Sequence, residues 1–99
     1  MAHSQYEDLM SRAETALSSG WLSESQDLLE SVRIQFGESS RWANNCGVLA
    51  VHRSRLDEAS NYFERAFRLD SNNISAALNL GKVFALDGRT DDARVFLQH

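Results

Sequence analysis

Ninety-nine residues, 42% of them hydrophobic, are enough for one small domain with a real core, which excludes a disordered chain. Ten basic against fourteen acidic side chains give a formal charge of −4, so there is no positive excess to neutralise phosphates and no nucleic-acid partner is expected. No apolar run approaches the roughly 20 residues of a transmembrane helix, and the start Met1-Ala2-His3-Ser4-Gln5 lacks a charged-then-apolar signal pattern; the expectation is a cytoplasmic protein with no membrane partner.

Proline is absent, so helix ends have to be marked by Gly, Ser and Asn. The first predicted helix, 4–18, carries Leu9, Ala13 and Ala16 on one face and stops before Gly20, a residue that enters the left-handed region at no steric cost. The second, 22–35, buries Leu22, Leu28, Leu29 and Val32. The third, 41–53, holds Gly47 and Ala50, and Ser54 takes the terminating place that Gly20 holds earlier. The fourth, 56–69, has the stripe Ala59, Tyr62, Phe63, Ala66, Phe67 and Leu69, and Phe63 is expected between the two helices of its own pair. Small residues at Gly47, Ala50, Ala59 and Ala66 suit helices in close approach, with Tyr62 and Phe63 filling the remaining volume. Asp70-Ser71-Asn72-Asn73 links to a fifth helix, 74–86, with Ala77, Leu80, Gly81 and Phe84; Gly88 then precedes a sixth, 90–98, with Ala93, Phe96 and Leu97. Six helices make three antiparallel pairs.

The pairs repeat. Gly47 and Gly81 are 34 residues apart, and residues 74–99 set on 40–65 give six identities in 26 positions, against the one or two that chance gives: Ala43/Ala77, Asn45/Asn79, Gly47/Gly81, Arg55/Arg89, Asp57/Asp91 and Ala59/Ala93. Gly20 and Gly88 are two periods apart, which marks a more diverged first copy. The expected domain is a single one over 1–99, all-α, with repeats at about 6–39, 40–73 and 74–99, the last truncated.

In the middle copy the runs Asn45-Cys46-Gly47, Leu56-Asp57-Glu58-Ala59, Tyr62-Phe63-Glu64-Arg65-Ala66 and Leu69-Asp70-Ser71-Asn72-Asn73 resemble a tetratricopeptide repeat. Ser71 stands where that family usually has proline, and Trp42 falls one residue before its usual tryptophan. The resemblance implies three helix-turn-helix repeats stacked as a right-handed α-solenoid, with the first helices lining a concave groove for a peptide or partner helix. Carried over position by position, the groove is lined by Met10, Glu14 and Leu17, then Arg41, Asn44, Asn45, Val48 and His52, then Asn79 and Lys82. Asn45 and Asn79 become the expected ligand contacts, since a carboxamide both donates to and accepts from a peptide backbone. Arg41 and Lys82 would meet a carboxylate or a phosphorylated side chain. Members that clamp the terminal carboxylate of chaperone peptides need Lys, Arg and Asn where this chain has Met10 and Glu14, so a mixed apolar and polar ligand is expected instead.

No catalytic set emerges, and neither enzyme activity nor a cofactor is expected: His3, His52 and His99 are scattered, and none neighbours a Ser or Cys at a base-orienting spacing. Cys46 aligns with Leu80, which reads as a buried thiol; Cys46 and His52, six residues apart, fall on different helix faces and hold no metal. Asp57-Glu58 and Asp91-Asp92 open helices and complement their positive ends. Trp21 is either an exposed anchor for a partner or, as favoured here, packed on Leu17 or the chain start. The chain ends at His99 without a capping helix, so Phe84, Val95 and Phe96 are expected on an uncovered face, either because the chain is a fragment or because two copies pack there as a homodimer. Two other readings remain beside the peptide-binding module: a regulatory or targeting segment of a larger enzyme, and a self-assembling scaffold.

Overall fold

The structure, a computed structural model, describes the backbone of residues 2–88 and the side chains from Gln5 onward. Those residues form five helices and no strand: α1 (Ala2–Ser19), α2 (Leu22–Phe36), α3 (Ser40–His52), α4 (Leu56–Leu69) and α5 (Ile74–Leu86). Every end falls within two residues of the sequence expectation. The sixth predicted helix, with Val95, Phe96 and Leu97, lies outside the described residues.

Links of two to four residues force each helix back along its predecessor, and the local chemistry of these links recurs. At the end of α1, Gly20 (φ 78°) donates its N–H to Leu17 O, and Trp21 donates to Ala16 O. At the end of α3, Ser54 (φ 59°) donates to Val51 O and Arg55 to Ala50 O. These are the same 5→2 and 6→1 closures, 34 residues apart, and each satisfies carbonyls that the helix end leaves open. Gly88 (φ 78°) repeats the first of them with Ala85 O. Helix starts recur too: Ser39 Oγ accepts from Trp42 N–H and Asn73 Oδ1 from Ala76 N–H. The Asn73 amide also donates to Ser40 Oγ, which in turn donates to Ala66 O, so α3, α4 and α5 are tied where they meet.

Burial follows the same period. Ala13, Gly47 and Gly81 are buried, as are Ala16, Ala50 and Phe84. The core has two parts, one around Met10, Leu29, Val32 and Trp42 and one around Phe63, Leu80 and Val83, and α3 contributes to both. This helix packs against each of the other four described helices. Phe63 is 1% exposed and lies against Gly47: a Cβ added to that glycine would meet three carbons of the ring, Cδ1 at 2.6 Å and Cζ at 2.8 Å among them.

Three expectations are corrected. Phe84, placed by the sequence on an uncovered face, is 3% exposed and packs with Leu80 and Val83, because α4 already covers that side of α5. Leu69, assigned to the core stripe of α4, is half exposed, because the helix ends there and its last turn overhangs the pair. Trp21 does not pack away: it is 57% exposed beside a shallow hollow lined by Ser11, Arg12, Thr15 and Glu24.

Ser54 is the one non-glycine residue with positive φ among the described residues, at a place where both flanking copies use glycine. The left-handed conformation costs a side-chain residue about 1–2 kcal/mol, and glycine returns roughly 0.4–1 kcal/mol of that through the freer unfolded chain. Ser54→Gly should therefore raise stability by about 0.5–1 kcal/mol in urea unfolding; a loss of stability would show that the Ser54 side chain holds the turn.

Candidate functional site

α1, α3 and α5 come together on one side of the fold, and their shared face contains most of the residues expected in a groove. At the α1 end the charges close on each other. Arg41 donates to both oxygens of Glu14, from Nε at 2.9 Å and Nη2 at 2.8 Å, and from Nη1 to Glu7 at 2.9 Å. Asn45 adds a third donor to Glu14, Nδ2 to Oε2 at 2.8 Å. Glu14 is half-buried, and three hydrogen bonds from α3 offset the desolvation of its carboxylate. The Arg41 hydrogen bond holds its pKa below the usual glutamate range, with Asn45 acting in the same direction and burial opposing both. Arg41 is held still more firmly protonated by Glu14 and Glu7.

Asn45 and Arg41 were expected to face a ligand, and that role is corrected. Asn45 is 5% exposed, and both side chains direct donors at Glu14. They brace α1 against α3. The sequence did carry a sign of this: Glu7 and Arg41 are 34 residues apart, so opposite charges fall at equivalent places of adjacent copies. Asn79 donates to Asn44 Oδ1 at 3.0 Å, the corresponding tie between α3 and α5. Met10 and Leu17, also assigned to the groove, are core residues.

What remains open is apolar and centred on Val48. A depression of about 330 Å³ has Val48, Val51, Phe63, Val83 and Leu86 as its walls and floor, with His52, Asn79 and Lys82 at its edge. A second, of about 310 Å³, runs toward α1 between Glu14, Leu17, Ser18, Asn45, Val48 and His52. Val48 and His52 border both, so the two make one trough across the three helices. His52 and Lys82 are exposed, and neither makes an ion pair with a described residue. Leu78 and Leu86 extend the apolar surface along α5.

Cys46 is buried on the opposite side of α3, and burial pushes its thiol up to about 12, far from a nucleophile at neutral pH. Among the described residues no three His, Cys, Asp or Glu side chains converge as metal ligands, and no helix is long and apolar enough to cross a membrane. No protein-family model matches the chain, and no curated protein is significantly similar to it.

Because the folded-state pKa of Glu14 is depressed, the Glu14–Arg41–Asn45 brace adds stability above the unfolded glutamate pKa of about 4.3 and loses it as pH falls through the lower folded value. Between about pH 5 and pH 2, Glu14→Gln should flatten the decline of unfolding free energy relative to wild type. Parallel acid limbs for the two proteins would mean that the brace does not favour the ionised carboxylate.

Proposed function

We propose that this chain is a protein-interaction module of the tetratricopeptide kind, three helix pairs stacked as a right-handed α-solenoid, acting by binding and not by catalysis. Support for the stack comes from chemistry that recurs at 34 residues: the left-handed turns at Gly20, Ser54 and Gly88, the caps at Ser39 and Asn73, and the shared burial of Ala13, Gly47 and Gly81. The contacts of α3 with both α1 and α5 suit a stack in which the first helix of each pair lines one face.

The observation that carries the binding function is the apolar trough on that face. Val48, Val51, Val83 and Leu86 give a partner somewhere to bury an aliphatic or aromatic side chain. Asn79 uses one amide proton on Asn44 and keeps its oxygen for a peptide N–H; His52 and Lys82 supply polar contacts at the rim. The Arg41 brace keeps the trough in shape, and its guanidinium is already neutralised. A clamp for a terminal carboxylate would need several open cations, and on this face Lys82 is the one without an acidic partner among the described residues. The ligand is therefore an extended peptide or helix with one dominant apolar anchor.

Selection of a displayed random 12-residue peptide library on the wild-type domain tests this. Val48→Arg puts a charge on the partly exposed centre of the trough, and it should weaken the selected peptides at least about tenfold with helicity unchanged. Peptides that bind Val48→Arg as tightly as wild type would remove the trough as the binding surface.

A further inference from the structure

α3 has a second working face. Val48 and His52 look toward α1 and α5, whereas Trp42, Cys46, Leu49 and Arg53, at helical spacing, look into a cleft between α2 and α4. This cleft holds about 220 Å³ and has a floor of Leu29, Trp42, Cys46 and Leu49, with Tyr62 as one wall. The Trp42 indole N–H is committed to Leu29 O at 2.9 Å, and its ring meets Tyr62 edge-on at 6.0 Å, so the aromatic surfaces stand fixed before any ligand arrives.

The charges at the mouth are unevenly matched. Glu30 is gripped by Arg33 through two hydrogen bonds, 2.6 and 3.0 Å, and Glu58 faces Arg55 at 3.8 Å. Arg53 also lines the mouth, and its side chain makes no hydrogen bond or ion pair with a described residue. The Tyr62 hydroxyl likewise bonds no described residue. An aromatic floor, a free guanidinium above it and an unused hydroxyl donor at its wall are complementary to one kind of small molecule: a flat apolar ring system bearing a carboxylate.

We propose that the α2–α4 cleft is a binding site for a small aromatic carboxylate, with Arg53 holding the carboxylate and Trp42, Leu49 and Tyr62 holding the ring. The site is separate from the trough on the other face of α3. The mouth also explains the selectivity: with Glu30 and Glu58 each answered by its own arginine, Arg53 is left to attract an anion, and the neutral amide of the same ring gains only the apolar contact.

Titration of the ¹⁵N-labelled chain with 2-naphthoate and with 2-naphthamide, followed by amide and indole N–H shifts, tests the assignment. The carboxylate should saturate shifts at Cys46, Leu49, Arg53 and the Trp42 indole, and should bind about tenfold tighter than the amide. Arg53→Gln should bring the carboxylate down to the affinity of the amide, whereas Arg68→Gln, an exposed cation elsewhere on α4, should leave the difference intact. Cys46→Leu should weaken both probes by filling the floor; the fold should accept it, since Leu80 occupies the same place in α5. Equal affinity for the two probes, absence of saturable binding, an unaltered Arg53→Gln, or shifts centred on Val48 and Lys82 would each overturn the proposal.

Discussion

The closest approach in this fold is between the middle of α3 and α4, where the Phe63 ring occupies space that any side chain at Gly47 would need. Everything on α3 is placed by that contact. Asn45 and Val48, on either side of Gly47, are turned to the face shared with α1 and α5, while Cys46 and Leu49 are turned to the cleft with α2 and α4. Phe63 also reaches through to the floor of the trough, so the ring that locks the central pair is itself part of the candidate binding surface. A shift of α4 by the width of a methyl group would change both the core and the trough, because close-packed interiors transmit such displacements.

Apolar packing leaves the polar groups of the interior to be satisfied locally, and they are: no buried side-chain nitrogen or oxygen among the described residues lacks a partner. Ser25 and Ser60 return their hydroxyls to Leu22 O and Asp57 O within their own helices. Between helices, Glu14 with Arg41 and Asn45 sets how α1 lies on α3, and Asn44 with Asn79 sets how α5 does. Such bonds add little net free energy each, but they penalise any register that leaves them unmade. One face of α3 is thus held by polar ties that leave an apolar opening between them.

The elements were legible in the sequence because their chemistry is local. Gly20, Ser54 and Gly88 mark turns through their own backbone conformation, and Asn73 caps a helix through its own side chain, so neither needed knowledge of the neighbours. Phe63 was legible for a related reason: a large residue recurring opposite a glycine at the repeat period has one place to go. Roles that depend on how helices lie side by side were not. Arg41 and Asn45 share the groove face as the spacing said, but only the approach of α1 shows that Glu14 claims their donors. Trp21 failed for a similar reason, since the path of the short link at Gly20 decides whether the indole turns inward. The Arg53 cleft was missed because its lining comes from three helices at unrelated spacings.

The first copy holds a natural variant of the central contact, with Ala13 and Leu29 one period before Gly47 and Phe63 and both buried in the same cluster. A double-mutant cycle in urea with Gly47→Ala, Phe63→Leu and the double variant tests the contact directly. Helix propensity alone would make Gly47→Ala stabilising by about 1 kcal/mol. Steric conflict with the ring should instead make it destabilising by about 1–3 kcal/mol, and the double variant should recover at least about 1 kcal/mol relative to the sum of the single changes. A stabilising Gly47→Ala, or single effects that add to within about 0.5 kcal/mol, would contradict the claim that the Phe63 ring on Gly47 sets the position of α4.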